Sequence, residues 1–590
     1  MLVSWRHLAE DAPDLGFDVY RNGQKLNARP IANSTNLLDP HGRPTDTYTL
    51  RSQAEDNDGV LMALSGGYLS IPLMQPPGGT TPAGEAYSYT ANDGSVGDLD
   101  GDGRYEIVLK WDPTISKDNA FSGYSGSVLL DAYTLEGRRL WRIDLGPNVR
   151  AGAHYTQFLV FDFDGDGRSE VVAKTADGTV DGGGVTIGDP AADWLERGGE
   201  APQADRTGAA VRPDGSRYAD LTGRILNGPE YLTVFDGTTG RALATESFSP
   251  ARDPENTNPS ADQRTARWGD AYANRSDRFL AGVAYLDGAR PSIVMGRGYY
   301  ARTTVSAWDW RDGKLAQRWL FDSGTPDDAF SGQGNHQLSV ADVDDDGRDE
   351  IIYGSMAIDD NGHGLWSARL FHGDTLHVSD LDPSRPGLER FGVHESPGRN
   401  GGIGAAMLDA RTGAILWSTP AERDVGRGVA MDIDPRHPGA EAWAANSDRL
   451  FDVKGRPIGA RPRQANFGIW WDGDRLRELL DGTTISKWNW QTETSDPIMT
   501  ATGAASNNGT KANPVLSADV LGDWREELIL RSEDNSELRI YLTPYPTDIR
   551  MVTLMSDPVY RAAVAWQNTA YNQPPHTGFY LGEGMEAGNR

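Results

Sequence analysis

The 590-residue sequence contains no cysteine, so disulfides and thiol chemistry are excluded. It has no run of 18 apolar residues, the length a membrane-spanning helix needs, so we expect no membrane-spanning segment. Basic residues are scarce relative to acidic ones, with 56 Lys and Arg against 85 Asp and Glu, a net charge of −29. This balance argues against nucleic acid or an anionic membrane as a partner. An acidic ligand would therefore need a local cationic patch or a bound metal ion.

An acidic pattern occurs in full three times, at residues 98–106, 162–170 and 342–350. Each copy has acidic side chains at positions 1, 3, 5 and 9, glycine at position 6, and an apolar run after it. Alternating carboxylates on a tightly curved loop supply the oxygen ligands that Ca²⁺ takes, and glycine permits the curl. The pattern predicts a Ca²⁺ loop between two strands, although an acidic turn that binds nothing is the alternative. The predicted ligands are Asp98, Asp100, Asp102, Glu106, Asp162, Asp164, Asp166, Glu170, Asp342, Asp344, Asp346 and Glu350.

Decayed copies of this loop follow at 380–389, 432–441 and 519–527, and a hairpin followed by a Leu-Trp strand recurs between them. A loop and a hairpin repeated about seven times predict an all-β chain with a β-propeller. Two polar stretches, at 185–225 and 249–267, interrupt the repeats and are expected to form loops on one rim.

Residues 1–82 differ from the rest and predict a small N-terminal, fibronectin-like β-domain. Its alternating strands place Trp5, Phe17, Val19 and Tyr48 on the inward side. A Gly- and Pro-rich segment at 75–82 marks the boundary, so the propeller is expected to occupy residues 83–590.

Several stretches combine glycine with polar side chains, which is unusual for plain strands. They lie at 90–94, 110–113, 150–155, 332–336, 371–374, 425–428, 507–511 and 570–573. Three of the ten histidines lie within them. Each stretch could also hold a polar residue that merely caps a strand end, and His154 is the clearest such case. The sequence has no nucleophile elbow, P-loop, dinucleotide fingerprint or zinc-spaced histidine pair.

These stretches and the acidic loops closely resemble the rhamnogalacturonan lyases of polysaccharide lyase family 11. The resemblance is carried by residues 91–102, 150–157, 334–336, 425–428, 508–511 and 566–576, and it extends over nearly the whole chain. It implies an eight-bladed propeller with several bound Ca²⁺ ions. It also implies cleavage of the backbone of rhamnogalacturonan I, an acidic plant cell-wall polysaccharide, by β-elimination.

The resemblance also implies roles for individual residues. The catalytic candidates are Lys511, Arg427 and Tyr571, and the substrate-binding candidates are Asn92, Asp112, Asn508, Gly509, Thr510 and Tyr571. Further metal ligands would be Asp93, His336, His372 and Asp374. β-Elimination needs a base at C5 of galacturonate, a cation beside its carboxylate and a proton source for the leaving oxygen. The sequence leaves open which of the three catalytic candidates is base or acid.

The sequence also fits two other functions: a non-catalytic Ca²⁺-binding propeller that binds glycans or proteins, and a hydrolase of the same polymer. We expect endo action and a monomer. We also expect secretion with a signal segment upstream of Met1, because residues 1–5 begin directly in a strand-like pattern and millimolar Ca²⁺ is an extracellular condition.

Overall fold

The structure is a computed structural model that describes residues 1–52, 59–61, 67–324 and 328–585. Strands dominate it, as predicted for an all-β chain. The described residues contain two α-helices, α1 (Ala261–Trp268) and α2 (Pro558–Trp566), and two 3₁₀ turns, Gly509–Lys511 and Leu554–Ser556. Neither helix combines the length and the apolarity needed to cross a bilayer. The predicted end of the second domain, at residue 590, lies outside the described residues.

The N-terminal residues form a small β-domain with a core of its own. One sheet has the strand order Gln24–Lys25, Phe17–Arg21, Tyr48–Ser52, Gly59–Leu61, and a second pairs Leu2–Ser4 with Asn36–Leu38. The core contains Val3 together with the four side chains predicted to point inward, Trp5, Phe17, Val19 and Tyr48. Alternation along the strands therefore identified the buried face correctly. The likeness to a fibronectin-type module stays a prediction.

Eight antiparallel sheets follow along the described part of the chain, most of them built from four strands that are consecutive in sequence. Sheet 1 contains Tyr89–Gly97, Glu106–Pro113, Leu129–Tyr133 and Arg139–Asp144, extended by Thr179–Val180 and Thr186–Ile187; sheet 2 contains Phe158–Phe161, Glu170–Ala176, Glu230–Phe235 and Ala242–Ser247. Sheet 3 contains Phe279–Ala284, Ser292–Arg297, Thr304–Arg311 and Lys314–Asp322; sheet 4 contains Ser339–Ala341, Glu350–Ile352, Met356–Ile358 and Gly364–Ser367. A two-stranded ribbon, Gly79–Thr80 with Ala86–Tyr87, precedes them.

The second half of the chain continues the series. Sheet 5 contains Leu376–Ser379, Glu389–Val393, Ile403–Asp409 and Ile415–Pro420; sheet 6 contains Gly428–Met431, Glu441–Ala444, Arg449–Phe451 and Pro457–Ala460. Sheet 7 contains Phe467–Ile469, Glu478–Asp481, Thr484–Asn489 and Thr494–Thr500; sheet 8 contains Ala504–Ala505, Leu516–Ala518, Glu527–Ser532, Glu537–Tyr541 and Tyr68–Pro72. Eight sheets are one more than the repeats counted in the sequence and match the number that the resemblance implies.

Sheet 8 is completed by a strand from the other end of the chain. Tyr68–Pro72 pairs antiparallel with Glu537–Tyr541, with Ile71 opposite Leu538. The predicted first domain, residues 1–82, thus includes a strand that belongs to sheet 8. Pairing across more than 450 residues leaves no local signal in the sequence, so the boundary was placed too late for this strand. The division into two domains otherwise stays a prediction.

The repeated Leu-Trp strand has a clear structural role, because its tryptophan joins neighbouring sheets. Trp366, on the outer strand of sheet 4, donates its indole N–H to the Ala410 carbonyl in a hairpin of sheet 5 at 2.9 Å. The ring packs on Gly413, where φ is +69° and an added Cβ would approach the ring to 2.5 Å. Equivalent bonds run from Trp141 to Gly237, from Trp319 to Asp360 and from Trp417 to Val453. The tryptophan of one sheet therefore contacts the hairpin of the next sheet at each of these junctions.

The first strands of sheets 1 to 4 lie together beside helix α2. The first strands of sheets 1 to 5 contact one another in order, and that of sheet 1 contacts Leu516–Ala518 of sheet 8. Helix α2 contacts the first strands of sheets 1 to 4 and also Leu516–Ala518. This is the order expected of a propeller, with its centre filled by the C-terminal segment. Polar side chains fix that segment, since Asn568 bonds the backbone of Phe158 and Gln567 that of Ser517.

The two predicted loop insertions contain regular structure. Residues 185–225 include a three-stranded sheet of Glu200–Pro202, Arg217–Asp220 and Ala210–Val211. Residues 249–267 include most of α1, which begins at a capping box formed by Ser260 and Gln263. The Ser-x-x-Gln spacing at 260–263 was the sequence signal for this helix. The prediction of plain loops was wrong at both places.

Candidate active site and metal centres

Most predicted site residues outside the acidic loops share one position in the fold: they lie shortly before the first strand of a sheet or, in sheet 8, before its second strand. His336 precedes Ser339–Ala341, His372 and Asp374 precede Leu376–Ser379, Arg427 precedes Gly428–Met431, and Lys511 precedes Leu516–Ala518. The acidic loops instead follow the first strands and lead into the second strands. The site residues therefore precede such strands, and the acidic loops follow them; in sheet 4 the same strand, Ser339–Ala341, has His336 before it and an acidic loop after it.

His336, His372 and Asp374 come together, and Glu395 joins them. One ligand atom from each of the four lies within 4.8 Å of the others, and the first three side chains are buried. His336 Nε2 lies 3.3 Å from an Asp374 oxygen, and His372 Nε2 lies 3.2 Å from Glu395 Oε1. We call these four residues the cleft cluster. Two imidazoles and two carboxylates form a donor set suited to a divalent ion.

Neighbouring groups orient the two imidazoles. His372 Nδ1 donates to the Gly334 carbonyl at 2.6 Å, which leaves Nε2 as the free lone pair facing the cluster. His336 Nδ1 lies 2.7 Å from the Tyr299 hydroxyl. Burial, and next the neighbouring His372, lower the pKa of His336 well below its usual value. A neutral imidazole at ordinary pH is the form that binds a metal ion.

His154 extends the cluster and is more than a strand cap. Its ring stacks on that of His336 with centroids 4.8 Å apart, and its Nε2 lies 3.2 Å from Asp118 Oδ2. Burial and the nearby Arg278 guanidinium lower the pKa of His154 to about 4. The interpretation of His154 as a polar residue that caps a strand end therefore leaves out its contacts with His336 and Asp118.

The three catalytic candidates lie beside the cleft cluster. The Lys511 ammonium forms an ion pair with Asp374 and lies 4.2 Å from the centroid of the Tyr571 ring. The Tyr571 ring in turn packs against His336, with centroids 4.2 Å apart. Arg427 donates from one terminal nitrogen to the Lys511 carbonyl at 3.2 Å. The structure thus brings Lys511, Arg427 and Tyr571 together around Asp374.

Burial and neighbouring charges shift the pKa values of Arg427, Tyr571 and Asp374. Burial lowers the pKa of Arg427 to about 10, so the guanidinium stays charged at neutral pH. Its Nε and second terminal nitrogen are buried without a hydrogen-bond partner among the described residues. Burial, and then the charge of Asp374, raise the pKa of Tyr571 above its usual value. Although burial opposes ionisation of Asp374, His336 and Lys511 lower its carboxyl pKa below the usual range.

The predicted substrate-binding residues occupy the same end of the fold. Gly509 and Thr510 are exposed in the 3₁₀ turn Gly509–Lys511, and Asn508 before it has φ of +58°. Asn508 donates toward Asp93 at 3.3 Å, which links this turn to sheet 1. Asn92 is buried on the first strand of sheet 1, and Asp112 is half-buried on the second with one carboxylate oxygen unpartnered among the described residues.

Asp93, a predicted metal ligand, lies away from the cleft cluster in a different environment. Its carboxylate forms a buried ion pair with Lys110 at 2.5 Å and accepts further bonds from Asn508 and Asn572. These contacts compensate the buried charge without a metal ion. The adjacent sequence Asn92-Asp93 gave no hint of Lys110, which lies on the paired strand.

A cleft of about 610 Å³ opens beside the site. Its wall includes Asp118, Arg278, Tyr300, Glu395 and Tyr571. Residues 205–207, from the polar insertion at 185–225, form part of the same wall. This insertion therefore borders the cleft, a position that the sequence could not fix.

The acidic loops also form compact carboxylate groups. The groups are Asp98, Asp100 and Glu106; Asp162, Asp164 and Glu170; and Asp342, Asp344 and Glu350, each with ligand atoms within 4.8 Å of one another. The predicted ligands at position 5, Asp102, Asp166 and Asp346, are not part of these groups; each accepts the backbone N–H two residues ahead. The remaining nine predicted ligands do come together as three groups of three.

The loop at 342–350 passes a simple test for a divalent ion. Asp344 Oδ1 and Glu350 Oε1 are buried without a hydrogen-bond partner among the described residues, an arrangement that a cation would compensate. Burial, and next the neighbouring aspartates, raise the pKa of Glu170 and of Glu350 to about 8. Crowded carboxylates of this kind are the donor set that Ca²⁺ prefers.

Comparison with known proteins decides the family. The model for the C-terminal domain of rhamnogalacturonan lyase family 11 matches residues 68–204 and 201–590, and that for the β-sheet domain of rhamnogalacturonan I lyases matches residues 1–61. The chain belongs to rhamnogalacturonan lyase family 11. The family models divide the chain between residues 61 and 68, in agreement with the strand Tyr68–Pro72 of sheet 8.

Two curated members of family 11 come from Bacillus subtilis (strain 168). The chain is 54% identical to the rhamnogalacturonan endolyase YesW over 99% of its length and 89% of that protein. It is 51% identical to the rhamnogalacturonan exolyase YesX over 99% of its length and 93% of that protein. These relatives support a lyase over the non-catalytic Ca²⁺-binding propeller.

Solved structures of family 11 agree with the fold. The crystal structure of YesW has a TM-score of 0.90, with 99% of this chain and 95% of that one covered. The rhamnogalacturonan lyase PL11 of Bacillus licheniformis has a TM-score of 0.91, 54% identity and the same coverage.

Four residues of the candidate site were missed as site residues by reasoning from sequence: Glu395, Asp118, Arg278 and Tyr299. They lie in segments without a metal-ligand spacing, and only the packing of separate sheets brings them to the cleft. Asp118 shows this clearly, because its partners His154 and Arg278 precede the first strands of sheets 2 and 3.

Proposed function

We propose that this protein cleaves the rhamnose–galacturonate backbone of rhamnogalacturonan I by β-elimination, acting within the polymer. The observation that carries the proposal is the placement of Lys511, at once ion-paired to Asp374 and over the face of Tyr571, next to the cleft cluster. An amine, a phenol and a guanidinium then surround one position where a uronate could bind.

Arg427 is the residue that we assign to the galacturonate carboxylate. A guanidinium binds a carboxylate through parallel N–H bonds, and Arg427 has two nitrogens without partners among the described residues. Because its pKa of about 10 keeps it charged at neutral pH, Arg427 stabilises negative charge and does not accept the C5 proton. It would favour the charge that develops on the carboxylate when C5 is deprotonated.

Lys511 is the group that we assign as the base, and Tyr571 as the proton donor. Lys511 would act from its neutral amine form: Nζ takes the proton from C5 and becomes the ammonium that pairs with Asp374, while the bond from C4 to the oxygen carrying rhamnose breaks and a C4–C5 double bond forms. The leaving oxygen needs a proton, and Tyr571 retains its proton at neutral pH because burial raises its pKa. The exposed Gly509 and Thr510, next to Lys511, would contact the neighbouring sugar.

We propose that the cleft cluster, His336, His372, Asp374 and Glu395, holds a divalent ion, which we take to be Ca²⁺. When bound, such an ion would make the C5 proton more acidic by neutralising the charge of the uronate carboxylate. The three acidic loops would hold further Ca²⁺ ions at the other end of the sheets. Asp374 links the proposed metal site to the proposed base, because it contacts both His336 and Lys511.

Two observations support endo action. The match to the endolyase YesW spans 591 positions, close to the 590 residues of this chain, whereas that to the exolyase YesX spans 607. The exolyase therefore has extra residues that this chain lacks. In addition, the cleft borders the insertion at residues 205–207 and still has a volume of about 610 Å³. We propose secretion as well, because the loops need a calcium-rich medium to fill.

The test is ultraviolet absorbance with rhamnogalacturonan I as the substrate and polygalacturonate as the control polymer. A lyase creates a conjugated C4–C5 double bond, so absorbance should rise with the first polymer and not with the second. Chromatography of early products should show fragments of mixed length if action is internal. New reducing ends without an absorbance rise would identify a hydrolase and contradict the proposal.

A further inference from the structure

Sheet 7 contains an acidic loop that was not recognised in the sequence. Residues 472–478 place Asp472, Asp474 and Glu478 between the first and second strands, the position that the three metal loops occupy in their sheets. Glu478 Oε2 accepts the Trp471 N–H at 2.8 Å, just as Glu170 accepts that of Phe163 at 2.9 Å. The sequence pattern missed this loop because position 1, which is Asp in the three complete loops, is Trp470 here, so that only the acidic residues at positions 3, 5 and 9 remain.

A lysine ammonium lies among these three carboxylates. Lys487 Nζ is 2.8 Å from Asp472 Oδ2, from both oxygens of Asp474 and from Glu478 Oε1. Glu478 is fully buried, and Lys487 is about three-quarters buried. The ammonium thus contacts four oxygens of three side chains in one loop.

The three metal loops differ in this respect. Among the described residues, no lysine or arginine side chain forms an ion pair with Asp98, Asp100, Glu106 or their equivalents in the other two loops. Other decayed loops have basic partners, but these contact fewer loop carboxylates. Lys454 contacts Asp382, Arg436 contacts Asp434, and Arg525 contacts Asp523.

We propose that Lys487 takes the place of a divalent cation in the loop of sheet 7, so that this loop closes without metal and becomes a Ca²⁺ site when the lysine is removed. An ammonium offers three donors and one charge, whereas Ca²⁺ takes six to eight oxygens at about 2.3–2.6 Å. The three carboxylates would repel one another without either cation. A cation that is covalently part of the chain cannot be extracted by a chelator.

The charge state of Lys487 agrees with this assignment. Although burial lowers it, Glu478 and the two aspartates together raise the pKa of the ammonium above its usual value. Burial raises the pKa of Glu478 to about 8, an effect that the ammonium opposes. The ion pair is therefore an internal compensation of a buried carboxylate.

The first test is hydrogen exchange of the wild-type protein, resolved by peptide, with saturating Ca²⁺ and with a chelator. We expect exchange in 98–106, 162–170 and 342–350 to increase on chelation, and exchange in 472–478 to stay the same. A response of 472–478 equal to that of the other loops would overturn the proposal.

The second test replaces the cation. Lys487→Met keeps the length of the side chain and removes its charge, and Lys314→Met removes a charge from an exposed lysine in sheet 3 as the matched control. We expect Lys487→Met to bind one more Ca²⁺ per chain than wild type by elemental analysis after dialysis, and its exchange in 472–478 to become Ca²⁺-dependent. A folded Lys487→Met protein with the wild-type ion count and a Ca²⁺-independent loop would contradict the proposal. If that variant fails to fold, the wild-type exchange experiment still decides.

Discussion

The acidic loops and the cleft cluster both gather carboxylates, yet they are built in different ways. Each loop takes its ligands from nine consecutive residues at one end of a sheet. The cleft cluster takes His336, His372, Asp374 and Glu395 from segments that precede the first strand of sheet 4, precede that of sheet 5, or follow its second strand. The loops use oxygen alone, whereas the cluster adds imidazole and touches Lys511. We therefore expect the loops to contribute mainly to the stability of the fold, and the cleft cluster to contribute mainly to catalysis.

The largest expected effect lies beside the cleft cluster. Lys511→Ala should lower the β-elimination rate by about 1,000-fold, because it removes the group that accepts the C5 proton. The measurement is the initial absorbance rise on rhamnogalacturonan I, with circular dichroism and metal content as controls. Lys314→Ala, at an exposed lysine, should leave the rate unchanged. A rate within about tenfold of wild type for Lys511→Ala would reassign the base.

Loss of a cluster ligand should have the next largest effect. His372→Ala removes a buried imidazole whose orientation is fixed by the Gly334 carbonyl, and we expect the rate to fall by about 100-fold. The free energy of unfolding should change little compared with that of a loop variant. Excess Ca²⁺ should restore part of the lost rate if metal affinity is what changed. An unaltered rate would mean that His372 is not a ligand.

A loop variant should show the opposite behaviour. Glu170→Gln retains an oxygen that can accept the Phe163 N–H but removes one charge from the Ca²⁺ site. With free Ca²⁺ at 100 times Kd, loss of the site should cost about 2.7 kcal/mol of unfolding free energy, while the rate per folded molecule stays the same. In chelator the variant should be at least as stable as wild type, since the carboxylates no longer repel as strongly. A loss of rate without a loss of stability would contradict the assignment of this loop to stability.

Stability without metal is also expected to depend on pH. The pKa values of Glu170 and Glu350 rise from 4.5 to about 8 on folding. Between these values the folded chain binds more protons than the unfolded chain, so stability without metal falls as pH rises from about 5 to 8. Denaturant unfolding in chelator at both pH values measures this fall. Saturating Ca²⁺ should abolish or reverse it, because binding requires the ionised carboxylates. Equal slopes in both media would indicate that the loops bind no ion.

The same contrast explains what the sequence could predict. The three complete loops, the buried aromatics of the N-terminal domain and the Leu-Trp hairpins are local patterns, and each was recognised from spacing alone. His336, His372, Asp374, Lys511 and Arg427 were predicted through the resemblance to family 11, not through their spacing. The ion pair between Asp93 and Lys110 escaped prediction although the two lie on neighbouring strands, because no local pattern encodes the contact. The last strand of sheet 8, Tyr68–Pro72, was also not predicted as part of that sheet, since it pairs with Glu537–Tyr541 from the other end of the chain.

The most direct test of the account is the rate of double-bond formation on rhamnogalacturonan I after removal of all divalent ions, with the folded fraction measured in parallel. The account predicts a fall of at least 100-fold in the rate per folded molecule, and full recovery when Ca²⁺ is returned. A folded, metal-free protein that forms the double bond at the original rate would contradict it.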